Sequence, residues 1–153
     1  MRTALLATAL LLVALAFVVP QRSATKSPYH AHLVRTPGVL NPDVTQATID
    51  TTICVHGWTR TIRPPTSYTN DLKRKQMHEY GVTGDLSKYQ EDHLISLELG
   101  GHPSEPRNLW PQPYPRASEV DAIENDLNDQ VCSGKLSLDE AQRKESELKH
   151  TEG

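Results

Sequence analysis

The sequence predicts an α+β fold organised as a strand, a glycine-rich loop, a second strand, a connector and a helix. Three observations carry this. Residues His93 to Leu99 end in an apolar/polar alternation that stops at Gly100-Gly101. Asn108-Leu109-Trp110 follows a loop rich in proline and glycine and reads as a second short strand. Val120, Ile123, Leu127 and Val131 then recur at helical spacing. The chain has 153 residues, 37% hydrophobic and 23% charged, which suits one small globular domain. Eleven prolines and an aromatic content of 5% imply long loops and a modest core, so something besides hydrophobic burial is expected to hold them.

Taken in order, the elements begin outside the fold. Leu5 to Val19 is an apolar run broken only by Thr8, behind Met1 and Arg2, and Pro20, Gln21 and Arg22 end it. Residues 1–24 therefore read as an export signal or an uncleaved anchor, and either places the domain outside the cytosol. No other segment approaches the roughly 20 apolar residues of a membrane span, which excludes a polytopic membrane protein. Residues 25–43 carry Pro28, Pro37, Gly38 and Pro42 with little periodicity and read as a flexible arm. The folded domain is expected over residues 44–153.

Within it, the β-branched stretch Thr51-Thr52-Ile53-Cys54-Val55 predicts a short strand before Gly57. Arg63-Pro64-Pro65 is a rigid loop. A helix is expected from Thr69 to Tyr80, capped by Thr69 or Asn70, striped by Leu72, Met77 and Tyr80, and stopped by Gly81. The helix through Val131 has Ser118 and Asp121 spaced like a capping box and Gly134 at its end. A last helix starts at Ser137 with Glu140 as box partner. Beyond Leu138 and Ala141 it is almost wholly polar, and fraying is expected from Glu145 to Gly153.

Two cysteines are too few for a disulfide-rich miniprotein, and no Cys-x-x-Cys pair suggests a zinc ribbon. In an exported chain Cys54 and Cys132 are most simply one disulfide, contributing about 3–4 kcal/mol by closing a long loop.

The chemistry concentrates between Asp92 and Asn128. Asp92-His93 opens the first strand, Asn108 opens the second, and the helix carries Asp121, Glu124, Asn125 and Asn128. Oxygen ligands plus one imidazole suit a hard divalent cation beside a base that activates water. Those are the parts that phosphodiester hydrolysis needs. Spacing alone does not identify that reaction, since a His beside an Asp is commonly an ordinary hydrogen-bonded residue.

Glu91-Asp92-His93-Leu94-Ile95-Ser96-Leu97-Glu98-Leu99-Gly100-Gly101, followed by Arg107-Asn108-Leu109-Trp110-Pro111-Gln112, resembles the HNH (ββα-metal, His-Me finger) endonuclease family. The closest likeness is to its small exported actinobacterial and phage-type members. The similarity extends to Cys54-Val55-His56-Gly57-Trp58-Thr59 and Arg63-Pro64-Pro65 upstream. Downstream it takes in Glu124-Asn125, Val131-Cys132-Ser133-Gly134 and Glu140-Ala141-Gln142. The resemblance implies a ββα-metal core with flanking helices. It makes His93 the general base, Asp92 a metal ligand, and Asn108 the residue that pins the loop between the strands. A helix position supplies the third ligand. Relatives with this signature carry Lys-Asp before the Glu and His at position 128. Here Val120-Asp121 and Asn128 stand instead, so Asp121, Glu124, Asn125 and Asn128 compete for that role, with Asn128 preferred and Asp121 and Glu124 next.

The expected cofactor is one divalent ion, magnesium first, with Mn2+, Zn2+ or Ni2+ as alternatives, and no small-molecule cofactor is called for. The expected partner is a nucleic acid substrate, DNA ahead of RNA, with membrane contact only through an uncleaved anchor. The formal charge of −3 is the wrong sign for bulk attraction to phosphates. However, Arg60, Arg63, Lys73, Arg74 and Lys75 cluster against Asp71 alone, and could hold phosphates while the acidic C-terminal third stays in solvent. Trp58 and Trp110 read as packing residues, and His56 and His102 as surface residues. A second expectation, from another class, is an inactive secreted binding module that keeps the scaffold without the metal, with Asp92 and His93 splayed or capped by other contacts.

Overall fold

A computed structural model describes residues 30–153. The expected leader, residues 1–24, and the first part of the arm lie outside the described residues. The fold is α+β: a two-stranded antiparallel sheet with helices packed around it. Among the described residues no helix is long and apolar enough to cross a membrane.

Strand β1 (Tyr89–His93) pairs with β2 (Leu109–Pro113) so that Asp92 faces Trp110 and His93 faces Leu109. Helix α3 (Arg116–Cys132) follows directly, and α4 (Leu138–Thr151) folds back against it. Upstream lie the short α1 (Trp58–Ile62) and α2 (Thr66–Glu79), the latter packed on both strands.

The expected strand at Thr51–Val55 is not one. Ile49–Thr51 is a 3-10 turn and turns follow to Gly57. Ile53 is drawn into the core formed by Val44, Ile49, Ile95, Leu99, Leu127 and Val131, while Cys54 is bonded to Cys132 on α3. A segment tied to a helix and lacking a partner strand gains nothing from extended geometry, so tertiary contacts override the β-branched preference.

The first sheet strand is also displaced. It runs from Tyr89 to His93, and the segment beyond turns inward and closes in a 3-10 turn at Leu97–Leu99. Leu94, Ile95, Leu97 and Leu99 are all buried, so the apparent alternation belongs to a loop sunk in the core. Gly100 and Gly101 serve that loop. Gly100 has φ +78°, and a Cβ on Gly101 would land on the Ile95 carbonyl. The second strand begins one residue after Asn108 and tolerates Pro111 and Pro113, as the edge of a two-stranded sheet can.

Helix α2 starts three residues earlier than expected, at Thr66, because Pro65 sits at its N-cap with φ −65° and no side-chain cap is used. Helix α3 starts at Arg116, after a cis Tyr114-Pro115 bond, so Ser118 and Asp121 lie inside it and form no box. The capping box at the last helix is present: Ser137 accepts from the Glu140 N–H while Glu140 reaches back to Ser137. That helix does not fray at Glu145. It continues to Thr151, with Gln142, Glu145 and Lys149 buried. The folded unit also reaches back before residue 44. Ala31 N–H donates to the Lys149 carbonyl, Thr36 is buried, and Leu40 bridges to Gly101.

The disulfide Cys54–Cys132 closes a separation of 78 residues with a Cα–Cα distance of 5.5 Å. It ties the turns that lead into α1 to the end of α3. Such a bond is consistent with an oxidising, extracellular location.

Candidate functional site

Strand β1, the loop that follows it, α1 and α3 surround a polar recess of about 270 Å³. Asp92 and His93 enter it from β1, Asp121 and Glu124 from α3, and Thr59 and Arg63 from α1 and its C-cap. Asp121 and Glu124 are three residues apart on a helix, so they share a face. One carboxylate oxygen each from Asp92, Asp121 and Glu124 lie within 4.8 Å of one another. Three carboxylates from two elements are a hard oxygen donor set suited to magnesium or manganese.

His93 sits at the end of β1, 6% exposed. Its Nε2 is 2.9 Å from the Pro103 carbonyl oxygen, which can only accept, so the ring proton belongs on Nε2. The lone pair is then on Nδ1, for which the described residues provide no hydrogen bond. Burial pushes the His93 pKa down, against the Pro103 bond and the Asp92 charge, which favour the proton. The ring is therefore neutral near pH 7, as a base must be.

Asn108 fixes the loop that carries Pro103. Its Oδ1 accepts from Ile95 N–H at 3.1 Å and Val39 N–H at 3.3 Å. Its Nδ2 donates to the Ile95 and His102 carbonyls, both at 3.0 Å. With no exposed surface, the amide joins both ends of the interstrand loop and so sets where Pro103 meets the imidazole.

Behind the acids lies a residue that sequence reasoning did not select. Lys149 of α4 is 0% exposed. Its ammonium donates to Asp92 Oδ2 at 2.8 Å, Glu124 Oε1 at 2.5 Å and the His93 carbonyl at 2.5 Å. It also pairs with Glu145 Oε1 at 3.1 Å, whose carboxylate accepts from Ser96 N–H. Burial opposes the lysine's charge, but Asp92, Glu145 and Glu124 outweigh it and hold the ammonium well above the ordinary lysine range. Burial pushes Glu124 and Glu145 up, in the direction of the protonated acid. The two tendencies compete, and the short contacts to the ammonium favour the ionised pairs. Burial likewise raises Asp121, which Gln90 opposes by donating to its Oδ1 at 3.2 Å. The sequence held one weak sign of Lys149, the i,i+4 spacing from Glu145 on a polar helix, which ordinarily marks a solvent-exposed pair.

The other expected site residues divide. Asn128 is not part of the carboxylate cluster. Its Nδ2 donates to the Glu98 carbonyl at 2.7 Å, and it lines a neighbouring recess with Cys54 and Cys132. Asp121 and Glu124 are thus the expected helix residues that stand beside Asp92, while position 128, one helical turn on, lies outside this recess. Asn125 lines the recess, with its Nδ2 bonded to the Asp121 carbonyl at 2.6 Å.

Of the basic cluster, Arg63 alone lines the recess. Lys73 donates to the Tyr89 carbonyl at 2.8 Å, Arg74 pairs with Asp71, Lys75 lies 3.8 Å from Glu79, and Arg60 is exposed beside Gly57. Trp110 is fully buried and Trp58 packs on the core. His56 is exposed, and His102 is half-buried, its Nδ1 accepting from the Ser104 and Glu105 N–H groups of its own loop.

No family model matches the chain, and neither a curated protein nor a solved structure matches it.

Proposed function

We propose that this protein is an exported, divalent-metal-dependent endonuclease that hydrolyses phosphodiester bonds of nucleic acid, DNA foremost. One observation carries the reading: an imidazole whose Nε2 is locked to a carbonyl, and whose Nδ1 has no hydrogen bond among the described residues, shares a recess with three clustered carboxylates and an arginine. The sequence resemblance to HNH endonucleases, which assigns His93 and Asp92 to these roles, points the same way, as does the pairing of a disulfide with an apolar leader.

The donor set fits a hard cation, with Asp92, Asp121 and Glu124 as its holders. When bound, such an ion supplies positive charge against the phosphate oxygens and the departing 3′ oxygen. The chain does the rest. The Pro103 carbonyl keeps the proton on Nε2 of His93, so Nδ1 accepts a proton from water as that water attacks phosphorus. Asn108 holds the loop and hence the aim of the ring. Arg63 presents a guanidinium to the phosphate from the rim.

The test is plasmid nicking by the purified protein with Mg2+ or Mn2+, with EDTA, and by His93→Ala. The reading expects nicking that EDTA stops and the variant lacks. Equal nicking by His93→Ala removes His93 from the role of base. Silence from folded, oxidised protein across these metals favours the second reading, a binding module without catalysis. That reading has one observation behind it: Lys149 already sits on Asp92 and Glu124 and supplies positive charge there.

A further inference from the structure

We propose that Lys149 is the positioning residue of this recess, a cation borne by the chain itself that orients Asp92 and Glu124 and limits the recess to one divalent ion. Four oxygens converge on its nitrogen: Asp92 Oδ2 at 2.8 Å, Glu124 Oε1 at 2.5 Å, Glu145 Oε1 at 3.1 Å and the His93 carbonyl at 2.5 Å. Three carboxylates and a carbonyl around one point form the kind of cage that holds a hard metal ion. Here an ammonium fills it.

An ammonium differs from a metal ion in a way that matters. It has three N–H donors, and all are taken up by Asp92, Glu124 and the His93 carbonyl. It has no open coordination position, so Lys149 cannot hold water or a phosphate oxygen and acts only through the groups it touches. Asp92 and Glu124 each give one oxygen to the lysine, which leaves the other for the recess. On the recess side Gln90 donates to Asp92 Oδ1 at 3.3 Å and to Asp121 Oδ1 at 3.2 Å, so the acids are braced from both sides. The bond to the His93 carbonyl ties the base's backbone to the same nitrogen. Glu145 is held in turn by the Ser96 N–H, which anchors the cage to the loop after β1. Without the lysine, like charges converge on a buried point, and a divalent ion is what can replace it.

This inference builds on the reading of the recess as a metal centre, yet its test reads the cage directly. Mn2+ stoichiometry and affinity are measured by calorimetry on the full chain, on Lys149→Met, and on Lys149→Met/Glu145→Gln, which removes one charge of each sign. The wild type is expected to bind one ion and Lys149→Met to gain a second. The double variant is expected not to gain it, and to lose about tenfold or more in affinity at the recess as Asp92 and Glu124 lose their anchor. If Lys149→Met does not fold even with Mn2+, the double variant decides by its affinity alone. One ion of unchanged affinity in every folded variant overturns the positioning role and leaves the metal centre standing. An ion bound by Lys149→Met but not by the wild type supports the cage and overturns the metal centre. No ion in any of the three overturns both.

Discussion

Replacing Glu91 with Gln should stabilise the protein at alkaline pH and leave it nearly unchanged in acid. Glu91 lies on β1 opposite Pro111, and both of its carboxyl oxygens are buried without a hydrogen-bond partner among the described residues. Burial pushes its pKa from 4.5 up to about 8, with Lys73 opposing the shift and Asp92 adding to it. Between those two values the folded protein keeps the proton that the unfolded chain has released. Folding stability therefore falls as pH rises through this window and is fully penalised above the folded pKa. At about 1.4 kcal/mol for each pH unit, the penalty grows to about 5 kcal/mol. Glutamine has nearly the same shape and cannot ionise, so the variant escapes it. Guanidinium unfolding of both proteins in EDTA, at about pH 5 and about pH 9, gives the difference directly. Other titrating groups act on both proteins, so the change in that difference belongs to Glu91. Tyr68 and Tyr80, which also feel the Glu91 charge, are both raised from 10.0 and ionise above this range. A difference that stays flat with pH, or a variant less stable than the wild type at the alkaline end, refutes the reasoning.

Three other predictions concern the site and its scaffold. His93→Ala should lower nicking by a factor of about 10² to 10⁴ without changing the circular dichroism spectrum, as loss of a general base does. The acid limb of the nicking rate should have its midpoint below the ordinary histidine value of 6.5, since burial keeps the ring neutral to lower pH; a midpoint above it contradicts the assignment. Cys54→Ser should lose about 3–4 kcal/mol in chemical denaturation under oxidising conditions, and the same stability as the wild type there would contradict the Cys54–Cys132 cross-link.

Much of the scaffold was legible because its signals are local. Ser137 and Glu140 form their capping box with residues three apart, so the start of α4 could be read directly. Of the expected stripe Val120, Ile123, Leu127 and Val131, all but the exposed Ile123 lie on the buried face of α3. The β-branched run at Thr51–Val55 misled because strand formation depends on a partner, and the disulfide and core claim that segment instead. His93–Leu99 misled for a related reason: among the described residues β2 pairs only with Tyr89–His93, and the buried residues beyond serve a loop.

The recess itself divides along the same line. Asp92, His93 and Asn108 stand out in the sequence because each lies at an expected strand and because the motif resemblance around them marks all three. Which helix residues meet Asp92 depends on how α3 is rotated against the sheet, and that rotation brings Asp121 and Glu124 to it while turning Asn128 to Glu98. Lys149 was the least visible. A polar helix end has the same hydropathy whether it faces water or its own counter-charges. Burial of a lysine is favourable only when acids distant in the chain surround it. Asp92 is 57 residues away and Glu124 is 25, so only the packing of α4 across α3 and β1 makes that helix part of the core. The sequence alone determined the types of groups available and the local starts and stops. The tertiary structure decided which charges meet, because pairing energy depends on distance in space and not along the chain.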